Sequence, residues 1–454
     1  MKSILVSGAV AALLAGPVLA DDTADALAQL RQDLDALKAK NERLEAEVEY
    51  LKSNASAERK EGAERTVAVD ALKSTVSKFA WSGDFRYRNE TVETAPNHTT
   101  PEHARNRDRL RLRFGVTAKV NDTVKARVQL STVNSGDDSP RSTNQTEGDA
   151  WNRKAIGIDL AYVDWKPHAL FNLQLGKHPQ PWVRTASYFW DGDLTPEGAA
   201  LKFARGPLFG GLFYDWLSER DNNTTPALRN DAKLLGAQIG MKPQIGPVSF
   251  TGAIAYFQVT NVQDQIASAT PLSGAAAGST CAINTAFSGS TNGNTTYDDN
   301  GATAGGCARL LSDFKPINVL LQADFKLGTL PVTLFADYTK NSGAEVNPTA
   351  GSKLDTALAF GFTLNKASAP KSWEIGYVYQ KTEKDAIFGQ FVDSDFGGGV
   401  TDTRGSVVKA AWVPAANWTL NGTYFINTRF NDAGSTATTD LDYKRLQLDL
   451  NFKF

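Results

Sequence analysis

Residues 107–130 read RDRLRLRFGVTAKVNDTVKARVQL. Leu110, Leu112, Phe114, Val116 and Ala118 alternate with Arg109, Arg111, Arg113, Gly115, Thr117 and Lys119. After Asn121-Asp122 the alternation resumes, with Val124, Ala126, Val128 and Leu130 set against Lys125, Arg127 and Gln129. A period of two puts every apolar side chain on one face of a strand and every charge on the other, and the Asn-Asp pair marks the turn of a hairpin. A soluble barrel turns its apolar face inward. Here the opposite face is too charged to be sealed in a dry interior, where an unpaired ion costs several kcal/mol. The pattern therefore predicts an inside-out barrel, apolar toward lipid and charged toward water.

Working outward, the same period recurs at 79–91, 107–120, 122–133, 154–166, 168–177, 197–206, 208–218, 232–243, 247–260, 316–327, 329–340, 353–365, 371–381, 404–414, 416–428 and 440–454. That is sixteen candidate strands. Seven tight connections, such as Pro167-His168, Gly206-Pro207 and Gly328-Thr329, alternate with eight long ones at 92–106, 134–153, 178–196, 219–231, 261–315, 341–352, 382–403 and 429–439. An even-stranded up-and-down barrel with both termini on one side needs this alternation, and membrane barrels place the tight turns on the periplasmic side. No stretch after the N-terminus reaches the roughly 18 apolar residues of a membrane helix. The expected fold class is all-β, a 16-stranded antiparallel transmembrane β-barrel preceded by a short N-terminal α-helical coiled-coil segment.

The ends support the same compartment. Residues 1–20 carry Lys2, an apolar run from Ile4 to Leu14 and a small-residue ending at Val18-Leu19-Ala20, and read as a secretory signal peptide. Export makes Cys281 and Cys307 one expected disulfide within a Gly/Ser/Thr/Asn-rich loop. Leu27, Leu30, Leu34, Leu37, Asn41, Leu44, Val48 and Leu51 are spaced alternately three and four apart. This heptad seam needs partners, identical copies of the chain being the nearest, and Asn41 at an a position leaves dimer and trimer open. Residues 54–77 read as a helical or flexible spacer. The domains expected are thus 1–20 signal peptide, 21–78 periplasmic coiled coil and linker, and 79–454 barrel. The chain closes with Leu446, Leu448, Leu450, Phe452 and Phe454 alternating with polar residues, which resembles the C-terminal strand of Gram-negative outer-membrane barrels.

Composition narrows function. The 454 residues hold 48 Lys and Arg against 50 Asp and Glu, with no basic excess for nucleic acid. Only four His and two Cys are present, which argues against a metal site or cofactor held by those ligands. His98, His103, His168 and His178 have no neighbouring nucleophile motif, so an outer-membrane hydrolase is disfavoured and solvated loop histidines suffice. Gly397-Gly398-Gly399 has no following helix and reads as a flexible turn rather than a phosphate loop.

Two stretches carry a family resemblance. Trp81-Ser82-Gly83-Asp84-Phe85-Arg86-Tyr87-Arg88 together with residues 107–122 is similar to the first hairpin of the putative porin family of Gram-negative outer membranes, and residues 190–201, WDGDLTPEGAAL, resemble that family's motif between strands five and six. The resemblance implies a trimeric 16-stranded porin passing small hydrophilic solutes. It also implies that the third long connection folds inward as a constriction, with Trp182, Arg184, Tyr188, Trp190, Asp191, Asp193 and Glu197 as its candidate residues. Opposite it would stand a basic wall of Arg86, Arg88, Arg109, Arg111, Arg113, Lys125 and Arg127, paired in part with Asp84, Asp108 or loop carboxylates. Basic wall and acidic loop would set a transverse field with weak anion preference. The competing readings are a surface receptor or adhesin using 261–315, and a soluble lectin.

Overall fold

The computed structural model describes residues 20–94, 103–133, 140–148, 150–220, 231–266, 281, 291–299, 306–429 and 441–454. The expected signal peptide, save Ala20, and His98 lie outside the described residues. The chain divides into two compact units, Met1–Ser77 and Lys78–Phe454.

The first unit is one helix, α1 (Ala20–Val76, 57 residues). It has no proline and a single glycine, Gly62, so nothing in its interior breaks the ladder. The segment 54–77, open between helix and spacer on sequence, is helical up to Val76. Continuity matters because it keeps Val69, Leu72 and Val76 in the same heptad phase as Leu27 to Leu51. All of these apolar residues are exposed.

The second unit is a closed antiparallel barrel of sixteen long strands: β1 Phe79–Thr94, β2 His103–Lys119, β3 Val124–Val133, β4 Ala155–His168, β5 Phe171–Lys177, β6 Glu197–Arg205, β7 Leu208–Ser218, β8 Ala232–Met241, β9 Val248–Val259, β10 Pro316–Leu327, β11 Leu330–Asn341, β12 Thr356–Asn365, β13 Trp373–Thr382, β14 Thr403–Ala415, β15 Trp418–Arg429 and β16 Leu441–Lys453. Each strand pairs with the next, and β16 returns to β1 from Asp84↔Lys453 to Thr94↔Tyr443, which removes both edges. Two short pieces, Gln145–Thr146 and Gln244–Ile245, extend the sheet. Asn121 closes the β2–β3 turn by accepting the amide hydrogens of Thr123 and Val124 at 2.9 Å each. Gly328 turns β10 into β11 at φ 63°, a left-handed conformation that suits glycine.

The alternation read from sequence is the alternation of the barrel's faces. Leu112, Phe114, Val128, Leu130, Leu446, Leu448, Leu450 and Phe452 are exposed on the outer surface, while their neighbours Arg113, Arg127, Gln129, Arg445, Gln447 and Asp449 point inward and are more buried. One sector departs from the simple pattern. Inward positions of β7–β9 carry Phe213, Leu234, Ala255, Phe257 and Val259, all buried under Trp182, Leu194, Phe314, Phe388 and Phe391 from the loops. That sector is apolar on both faces because loops, not water, cover its inner side.

Candidate channel constriction and lumenal charge lining

The third long connection, 178–196, leaves β5 at His178 and returns to β6 at Pro196, and the His178 amide donates to the Pro196 carbonyl at 2.8 Å. Between these points it crosses the interior. Gln238 on β8 holds Val183 by two hydrogen bonds of 2.8 Å. Asp337 on β11 accepts the hydroxyls of Thr185 at 2.7 Å and Ser187 at 2.9 Å. Gln380 on β13 accepts the Tyr188 amide at 2.8 Å. The Tyr188 ring then lies 5.5 Å from Phe425 on β15, with the Lys409 ammonium of β14 4.7 Å above it. Inward-facing polar side chains of β8, β11, β13 and β14 thus hold the loop across the lumen.

Aromatic packing fixes its far end. Trp190 lies 4.7 Å from Trp182, 5.0 Å from Phe257 and 5.1 Å from Phe391, the last pair stacked. Phe391 belongs to the seventh long connection, 383–402, which also folds inward and was expected only as an outer loop. Its Ile387, Phe388, Val392 and Phe396 are buried beside Phe189 or Phe257. The two loops meet in a short seam, in which the Asp191 amide donates to Phe391 at 2.7 Å and the Asp393 amide to Tyr188 at 3.2 Å. The Phe-rich run 386–396 was the available sequence signal for this second inward loop. Gly397-Gly398-Gly399, read as a flexible turn, is an ordered left-handed turn, and a Cβ on Gly397 would strike Thr403.

The loop carboxylates do not line the passage. Asp191 is buried and accepts the amides of Asp193 and Ser394, both at 2.8 Å. Burial first, then the neighbouring Asp393 and Asp193 carboxylates, pushes its pKa up. Asp193 pairs with Arg113 of β2 at 2.7 Å and takes the Thr143 amide at 3.0 Å. Burial raises its carboxyl, but the guanidiniums of Arg113, Arg111 and Arg86 outweigh that and hold it below the ordinary range. Glu197 is no part of the constriction. It lies on the outer face of β6 and pairs with Lys177 at 2.8 Å, because its parity matches exposed Leu201. Arg184 is the charge that the loop leaves exposed. It donates to the Trp190 carbonyl at 2.9 Å, and no carboxylate among the described residues pairs with it within 4.0 Å.

The basic wall is present and largely neutralised. Arg88 grips Asp449 at 2.7 and 2.9 Å and Asp395 at 3.2 Å, and Arg111 pairs with Asp84 at 2.6 Å. Arg109 donates to the Asn144 carbonyl at 2.9 Å, and Arg127 bonds Gln129 at 2.6 Å and Thr117 at 3.1 Å and has no acidic partner within 4.0 Å among the described residues. Arg86 stands 3.7 Å from Asp449. Lys125 is exposed at the tight-turn end, opposite Lys119 and Asp164. Asp108 does not serve this wall. It has the parity of Leu110 and bonds Asn89 at 2.8 Å, and the acids that do the pairing include Glu90 on β1 itself and Asp395 and Asp449, which lie far from Arg88 in sequence.

One further correction concerns a loop histidine. His178 is not a solvated histidine. It is fully buried, with Nε2 3.1 Å from Asp215 of β7, and it anchors the base of the third loop. His168 lies in the exposed β4–β5 turn, where its Nδ1 accepts the Leu170 amide at 3.2 Å. Cys281 and Cys307 form a disulfide. The described part of 261–315 leans on the seventh loop, with Asn294 donating to the carbonyls of Lys384 at 2.7 Å and Ile387 at 2.9 Å.

A closed barrel narrowed by an inward third loop and faced by arginines is a porin's arrangement, and a family model described as "Putative porin" matches residues 71–454. The chain belongs to the putative porin family. No curated protein matches it. Among solved structures, the high-pH structure of Pseudomonas putida OprB is 11% identical, with 87% of this chain and 97% of that one covered and a TM-score of 0.50. The outer membrane channel DcaP of Acinetobacter baumannii is 12% identical, with 83% and 97% covered and a TM-score of 0.44. Salmonella typhi OmpF in complex with daunomycin is 11% identical, with the same coverage and a TM-score of 0.45. At such identities the likeness is one of fold. Family and fold point to a porin-like channel rather than an enzyme.

Proposed function

We propose that this porin sits in the Gram-negative outer membrane and lets small hydrophilic solutes diffuse passively through its lumen, with anions preferred. The observation that carries the anion preference is the disposition of charge on the third loop. Asp191 is buried in the seam with the seventh loop and Asp193 is paired with Arg113, whereas Arg184 is exposed and has no carboxylate partner among the described residues, and neither has Arg127 on the lumen wall. A constriction loop whose exposed, unpaired charge is cationic draws anions to the narrowest part of the passage. The test is the single-channel reversal potential in a KCl gradient. It is expected on the anion side for the native chain and moved toward the cation side by Arg184→Glu; a native channel preferring potassium discards the reading.

The functional unit in this proposal is a homotrimer assembled through the lipid-facing wall and the heptads of α1, with residues 1–20 removed and α1 in the periplasm. The exposed stripe from Leu27 to Leu51, resumed at Val69, supports it, since an apolar seam of this length is not stable alone in water. Replacing Leu30 and Leu37 with Glu is expected to lower the oligomer's resistance to dissociation in analytical ultracentrifugation. An unchanged sedimentation profile would remove α1 from the assembly.

A further inference from the structure

Three carboxylates, Glu90, Asp395 and Asp449, share one network with five guanidiniums on the inner wall of β1, β2 and β16. Arg88 takes both oxygens of Asp449, at 2.7 and 2.9 Å. Arg445 takes Asp395 at 2.9 Å and Glu90, and Arg107 takes the other oxygen of Glu90. These pairs occupy all three acids. Arg109 finds the Asn144 carbonyl instead. Arg86 is left over: it is 3.7 Å from Asp449, makes no hydrogen bond to any described residue, and its side chain is only 13% exposed.

The two carboxylates near Arg86 are already taken, Asp449 by Arg88 and Asp193 by Arg113, and the side chains cross-strand from it are donors. Its cross-strand partner on β2 is Arg111, already held by Asp84 at 2.6 Å. Its partner on β16 is Asn451, whose side-chain nitrogen is buried and has no partner among the described residues. Two adjacent unsatisfied donors in a network with more positive than negative charge call for an acceptor that brings negative charge with it. A guanidinium beside an amide N–H matches a carboxylate, which offers two oxygens in one plane, better than it matches a spherical halide.

We propose that Arg86 and Asn451 form a binding site for small carboxylate anions in the lumen wall, a way-station on the passage. The site rests on the reading of the lumen as water-filled. Its occupant is held by Arg86 and Asn451, with the Arg111 guanidinium adding charge from the side, and it exchanges with solution because Arg86 retains access to the lumen.

The probe is acetate. Open-channel current of the full chain in planar bilayers is expected to saturate as potassium acetate is raised, and to rise nearly linearly with potassium chloride. Arg86→Gln is expected to weaken the half-saturating concentration by about tenfold or more. Asn451→Asp provides its own carboxylate opposite Arg86 and is expected to abolish saturation while the barrel stays folded, as judged by heat-dependent mobility in gels. Acetate saturation unchanged in Asn451→Asp, or equal saturation in chloride and acetate, overturns the site while leaving the channel intact. Absence of conductance in the native chain overturns the channel reading itself.

Discussion

Asp191 and Asp393 lie on the two sides of the seam between the inward loops, and their carboxyls are both pushed above the ordinary range. Burial is the first cause for each, followed by the charge of neighbouring acids, Asp393 and Asp193 for the one and Asp395 for the other. A carboxyl whose pKa is raised on docking takes up a proton, so its contribution to the seam is complete at acid pH. That contribution begins to fall as the pH climbs past about 4 and is lost as it rises through the raised value. Hydrogen exchange at the Asp191 and Asp393 amides, corrected for the intrinsic rate, is therefore expected to quicken between acid and alkaline pH. Asp191→Asn should flatten that dependence; an equally steep profile in the variant would place the titrating group elsewhere. Such detail was not legible in the sequence. The acidic residues of the third loop stood out there as candidates for a field across the pore, but pairing, which decides whether a carboxylate meets water or a guanidinium, joins residues remote along the chain, Asp193 with Arg113 and Arg88 with Asp395 and Asp449.

At the scale of elements, the third loop owes its place to aromatic packing more than to charge. Trp190 bridges Trp182, Phe257 and Phe391, so it joins β9 and the seventh loop at one point. Truncation to Ala is expected to cost the docked loop about 3 kcal/mol while the strand ladder holds. The measurable outcome is a higher or noisier single-channel conductance with unchanged heat-dependent gel mobility, and a quiet native-level conductance would deny the loop its role in narrowing the passage. The strands were legible because a period of two survives any loop conformation: β2 begins at His103 rather than at 107, yet every one of the sixteen strands lies where the alternation put it. The inward seventh loop was not, because a Phe-rich loop has no period, and only the apolar inner faces of β7–β9 reveal that something must cover them.

For the whole molecule, the account stands on which face of the strands meets water. The closed ladder from β1 to β16 leaves no other route for a polar solute than the lumen, and the lumen's chemistry follows from the inward set of each strand. The most direct measurement uses adjacent positions on β3. Both native cysteines are joined in the disulfide, so a single introduced thiol reports alone. Arg127→Cys is expected to react with a membrane-impermeant sulfonate thiol reagent and to lose conductance on reaction, whereas Val128→Cys should be silent to that reagent and be reached from the lipid phase. Labelling of Val128→Cys by the sulfonate, with Arg127→Cys protected, would contradict it.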